Sequence, residues 1–161
     1  FSNGGGSWAR VWSLFDRDVP PRIYRGTVSG MPMRPYYNAG FIAVEDGDRL
    51  ATAWIDCARR IDEDQRIRNK RPWLDQVALP VAFAELDWTV EPLGDAFNYP
   101  CHLTRIGTFG PYFAHYHYPH VIAGEPKLAF RCADLLRRYP PLAGILSRFE
   151  GWKALVERVA A

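Results

Sequence analysis

Pro35-Tyr36-Tyr37-Asn38-Ala39-Gly40-Phe41-Ile42-Ala43-Val44 is the stretch on which the fold class turns. Phe41 to Val44 is a short, continuous apolar run, the pattern of a strand buried on both faces. Ahead of it, Asn38-Ala39-Gly40 either turns the chain into that strand or lets a ligand approach the backbone, with an Asn amide that donates and accepts hydrogen bonds. Beyond it, Asp46-Gly47-Asp48 supplies a turn and a helix start. Leu50, Trp54, Cys57, Ala58 and Ile61 then keep helical spacing, which predicts an amphipathic helix over about 48–64. A second helix is expected from near Trp73, carrying Asp75, Gln76, Val77, Ala78 and Val81, with Pro80 expected to kink or shorten it. Leu86-Asp87-Trp88-Thr89-Val90 reads as another strand.

Working outward, Gly4 to Ser7 reads as a flexible lead-in, and Trp8, Val11, Trp12 and Phe15 fall on one helical stripe. After Pro20-Pro21, residues 22–36 carry Gly26, Gly30, Pro32 and Pro35 and read as a long irregular connection, a type of segment that is often functional. Phe97-Asn98-Tyr99-Pro100 reads as a turn. From Tyr112 to Tyr118 the chain alternates, so His115 and His117 project to one side and can both reach one ion. Cys101-His102 precedes them, which raises a small zinc site as a reading, although neither pair has zinc-finger spacing. From Leu128 the pattern is helical to the end, in three apolar stripes separated by the Pro140-Pro141 break and a short link. Strands interleaved with helices point to an α/β arrangement.

The bulk properties narrow the function classes. With 161 residues, 48% hydrophobic and 24% charged, the chain has the length of one domain and enough apolar surface for a core, which excludes a disordered protein. A net charge of +2 gives no broad field for nucleic acid or an anionic membrane. The basic run from Arg66 to Arg71 reads as a helix end, where cations complement the dipole. Aromatic residues make up 14%, which serves a core or a cleft that stacks ring-shaped ligands. Cys57, Cys101 and Cys132 are odd in number and widely spaced, so free thiols in a reducing, cytoplasmic setting are expected rather than a disulfide framework. No apolar run approaches the roughly 20 residues that span a bilayer.

Taken in order, Tyr37-Asn38-Ala39-Gly40-Phe41-Ile42-Ala43-Val44, the long amphipathic helix, Leu74-Asp75-Gln76-Val77-Ala78-Leu79, Phe97-Asn98-Tyr99 and Phe113-Ala114-His115-Tyr116 resemble the second half of GT-A glycosyltransferases, family 8 above all. The resemblance covers roughly residues 35–120. It implies an α/β fold with a mixed sheet flanked by helices, incomplete at its N-terminus, with 1–161 forming a single or partial domain. The implied reaction is transfer of a sugar from a nucleotide-diphosphate donor to an acceptor, with a divalent cation, manganese or magnesium. By resemblance, Asn38, Ala39, Gly40 and Asn98 line the donor pocket, Asp75 and Gln76 bind sugar hydroxyls near the reacting carbon, and His115, with His117, holds the metal. The family's Asp-x-Asp motif is spelled by Asp16-Arg17-Asp18, but this follows a helical stripe and precedes a double proline, so the motif itself is expected upstream of Phe1. The family's Lys-Pro-Trp after the metal histidine is absent. Two other classes fit the residues: a non-catalytic carbohydrate- or protein-binding module using the 22–36 loop, and a small metal-binding domain built on Cys101, His102, His115 and His117.

Overall fold

Asp46 opens the longest helix by accepting a hydrogen bond on its side chain from Arg49 N at 2.9 Å, so α2 (Gly47–Glu63) begins with its first donors satisfied. The computed structural model describes residues 5–26 and 28–160, and these divide into two compact units, Phe1–Pro92 and Leu93–Ala161. Gly4, in the expected lead-in, and Thr27, in the 22–36 connection, lie outside the described residues.

In the first unit α1 (Gly5–Ser13) begins within the stretch expected to be a flexible lead-in. Trp8, Val11, Trp12 and Phe15 are all buried, as their spacing predicts, and join Leu50, Cys57 and Ile61 of α2 in one core. The centre of that core is α3 (Leu74–Glu85), in which Val77, Ala78, Leu79, Pro80, Val81, Ala82 and Phe83 are buried in succession. A helix apolar on every side has to be enclosed by its neighbours. Pro80 neither ends nor shortens it. What it does is remove the N–H that the Gln76 carbonyl would otherwise accept.

The C-terminus of α2 would leave carbonyls unpaired where the chain turns back toward α3. Lys70 reaches back to meet them, donating from Nζ to the carbonyls of Ile61 at 3.1 Å, Asp64 at 3.0 Å and Asp62. Asp64, whose side chain is buried, accepts from Arg10 Nε at 2.7 Å and from Arg66 N at 2.9 Å, tying α1 and the turn to the same helix end. Arg71 pairs with Asp62 at 2.6 Å. The basic run thus serves the helix terminus, as its position predicts.

Two expected strands are absent among the described residues. Phe41 to Val44 forms no ladder, and Val44 is 38% exposed instead of buried. At Leu86–Val90 the reason is a helix cap. Trp88 N donates to Phe83 O at 2.9 Å and Asp87 N to Ala84 O at 3.0 Å, with Asp87 at φ 54°, a Schellman termination of α3. Leu86, Trp88 and Val90 still pack on the core, so the period of two reports burial without a strand partner. The end of α1 repeats the device: Arg17 N donates to Trp12 O and Asp16 N to Ser13 O, with Asp16 at φ 52°. Arg17 then bridges Glu85 at 2.7 Å and Asp87 at 3.3 Å. Within the 22–36 connection, β1 (Tyr24–Arg25) pairs antiparallel with β2 (Pro32–Met33), and Tyr24 and Tyr37 join through their hydroxyls at 3.0 Å.

The second unit pairs β3 (Tyr99–Pro100) with β4 (Ala114–His115) in parallel, followed by α4 (Pro119–Gly124), α5 (Pro126–Arg138), α6 (Pro140–Leu146) and α7 (Glu150–Ala160). Pro119, Pro126 and Pro140 each begin a helix, where a missing N–H costs nothing. The helical tail is as its pattern predicts, but its core is thin: Ile106, Ile122, Leu136, Leu155 and Val156 are buried, while Leu135, Ile145 and Phe149 of the expected stripes stand exposed. No described helix is long and apolar enough to cross a membrane.

Replacing Lys70 with Met keeps the aliphatic stem and removes all three carbonyl contacts. The expected loss is about 1–3 kcal/mol of stability, read as a lower urea midpoint with unchanged slope, whereas Arg71→Ala, at an exposed pair, shifts the midpoint far less.

Candidate functional site

Asp75 stands in the first turn of α3 and is exposed, and Gln76 beside it is half-buried. A carboxylate is favoured at this terminus by the helix dipole. The turn is anchored from α2, because Trp54 Nε1 donates to the Asp75 carbonyl at 2.8 Å. Tyr36 lies within electrostatic reach of the Asp75 carboxylate: desolvation first, and that negative charge second, push its phenol up to about 12. Tyr36 also meets Trp8 edge to face at 6.2 Å. The segment carrying Asn38 and Ala39 is held on the same core, since Tyr36, Tyr37 and Ala39 all pack against it. Tyr37 is fixed between Tyr24 and Phe83 by edge-to-face contacts at 5.5 and 6.1 Å, and burial with the Tyr24 hydrogen bond raises its pKa.

Asn38 is exposed and its Oδ1 accepts from Gly40 N at 2.7 Å. That is a local turn held by the Asn side chain, the simpler of the two readings of Asn38-Ala39-Gly40. Asp16 and Asp18 belong to the cap and the link after α1, not to the end of a strand, so their Asp-x-Asp spelling is a helix termination.

The other residues implied by the resemblance lie in the second unit. Asn98 is half-buried at φ 58°, a left-handed conformation that Asn tolerates, and it feeds β3. His115 and His117 do face the same side, with their Nε2 atoms 2.9 Å apart. A third imidazole joins them: ligand nitrogens of His102, His115 and His117 all lie within 4.8 Å of one another. The His102 ring stacks on His117 at 3.9 Å, and its Nδ1 is buried without a hydrogen-bond partner among the described residues. Desolvation, then repulsion from His117, lowers the pKa of His102, against an opposing pull from the His115 backbone. His115 is lowered by burial and by both neighbouring rings. Neither Cys101 nor any carboxylate is part of the cluster. The resemblance leaves out His102, whereas the metal-binding reading of the sequence groups it with His115 and His117; the Cys101 N–H donated to the His115 carbonyl at 2.8 Å holds the two segments side by side.

Residues 2–87, just over half of the chain, match a family of glycosyltransferase domains. The chain belongs to that family, the Rhodobacterales glycosyltransferase domain. The match takes in Asn38 to Gly40, Asp75 and Gln76, and ends before Asn98 and the histidines. No curated protein and no solved structure matches the chain.

All three cysteines are free thiols. Burial, with nearby acidic charge adding, pushes Cys57 up to about 12; Cys101, raised by burial and by Glu125, and Cys132, raised by burial, are both partly exposed. Because the thiolate is the nucleophile, maleimide is expected to label Cys101 and Cys132 in the native protein, faster as pH rises, and to spare Cys57 until denaturant is added. Mass spectrometry of the labelled peptides checks this.

Proposed function

We propose that the protein is a GT-A-type, nucleotide-sugar-dependent glycosyltransferase in which the start of α3 contacts the donor sugar. The observation that carries this reading is that the family match encloses both Asn38-Ala39-Gly40 and Asp75-Gln76, and that both segments rest on one core. The mixed sheet of a GT-A fold is part of the proposal, supported by the order of these segments around α2.

In the proposed reaction the bond from the sugar's anomeric carbon to the diphosphate oxygen breaks and a bond to an acceptor oxygen forms. The acceptor loses its proton and the nucleoside diphosphate leaves. Asp75, exposed at a helix start, accepts hydrogen bonds from sugar hydroxyls, and a carboxylate so placed can orient the ring for attack. Gln76 adds an amide that donates and accepts, and a main-chain carbonyl relieved by Pro80 of its usual helical donor. Asn38 borders the donor sugar in this reading, its side-chain oxygen holding the turn that presents the segment. Tyr36 and Tyr37 set the position of that segment from below.

The divalent ion expected for such a transfer is manganese or magnesium, hard cations that favour oxygen ligands. His102, His115 and His117 offer three nitrogens and no oxygen, so this set does not suit either ion, and no step is routed through it.

In the complete protein, Asp75→Asn preserves shape and removes the charge. Sugar transfer and donor hydrolysis are expected to fall by about 10²-fold or more, with the unfolding midpoint little changed. Undiminished turnover in that variant removes Asp75 from the site and the proposal with it.

A further inference from the structure

Beyond the stretch that matches the glycosyltransferase family, the second unit sets three imidazoles on one short framework. His102 sits in the turn that follows β3, His115 is the second residue of β4, and His117 comes two residues later, where alternation returns it to the same side. On a tetrahedral zinc ion with Zn–N bonds of about 2.0–2.1 Å, ligand nitrogens stand about 3.3 Å apart. Here the closest pair is 2.9 Å apart and the whole set lies within 4.8 Å.

We propose that His102, His115 and His117 form a three-imidazole site for zinc, with the fourth coordination position open to solvent beside the exposed His117. The donor set argues for this ion. Imidazole suits borderline transition metals, carboxylates and waters suit manganese and magnesium, and no Asp or Glu belongs to the cluster. Three protein nitrogens with one free position is a recurring zinc arrangement, whereas copper(II) favours a tetragonal one. The buried Nδ1 of His102, without a hydrogen-bond partner among the described residues, is a polar atom that a metal bound at that nitrogen would satisfy.

A thin core gives the site a structural consequence. β3 and β4 are two residues each, and few side chains of the second unit are buried. Small units of this kind are commonly stapled by a metal, since ligands brought together only by folding convert binding energy into stability. The zinc would clip the turn after β3 to β4 and close the 102–115 loop.

The inference is independent of the sugar-transfer reading, so either can fail alone. The full chain, stripped with a chelator, is titrated with Zn2+ and separately with Mn2+ against a chromophoric competitor. One equivalent of zinc is expected, with a raised melting temperature and far weaker manganese binding. His102→Ala, His115→Ala and His117→Ala should each lower zinc affinity by about 10²-fold or more, while His120→Ala, outside the cluster, leaves it unchanged. Zinc should also shield the three clustered histidines of the unaltered chain, and not His120, from diethylpyrocarbonate, a readout that does not depend on the variants folding. Absence of stoichiometric zinc, equal binding of manganese, or zinc binding and protection that persist without these rings overturns the site.

Discussion

The carbonyl end of α2 has to be closed before the chain can return as α3, and the first unit is arranged around that requirement. A helix terminus left dry and unpaired is costly, because each buried carbonyl without a donor forfeits its hydration. Lys70 supplies one ammonium for three carbonyls, and Asp64 collects Arg10 and Arg66 at the same point. The return of the chain sets Asp75 under the indole of Trp54 and sends the apolar length of α3 into the core. The proposed donor-facing residues at the start of α3 follow directly on this closure in the chain.

Aspartate does two unlike jobs in this unit. Asp46 begins α2 from its N-terminus, where a carboxylate meets free N–H groups. Asp16 and Asp87 end α1 and α3 in left-handed conformations, the place usually taken by Gly. Arg17 joins both terminations by pairing with Glu85 and Asp87. These pairs are exposed, so they align helix ends more than they add stability. An Asp-x-Asp spelling can therefore arise from capping alone, and its chemistry depends on the element that carries it.

The histidine cluster shows the same dependence on the surrounding backbone. Two of its rings are neighbours by strand alternation, an arrangement visible in the spacing of His115 and His117. The third arrives through a pairing between β3 and β4, with Cys101 N on the His115 carbonyl. Three imidazoles without a carboxylate among them are a donor set that suits borderline ions.

Periodicity alone determined α1, α2, the start of α3 and the helical tail, because a repeating apolar face is a local property of the residues. The basic run at 66–71 was legible for the same reason: charges at a helix end answer a local dipole. What the tertiary structure decided was whether an apolar or alternating run would find a partner. Phe41–Val44 and Leu86–Val90 carry strand-like patterns, yet hydrogen-bond ladders need a second chain segment beside them, and none is there among the described residues. Pro80 was expected to kink or shorten α3, yet the helix runs on to Glu85 with every face of its length from Val77 to Phe83 buried. The sequence could offer Cys101, His102, His115 and His117 as one candidate set; only the folded backbone decided which of them meet, gathering the three imidazoles and leaving the Cys101 thiol out, because that neighbourhood is made by strand pairing rather than by distance along the chain.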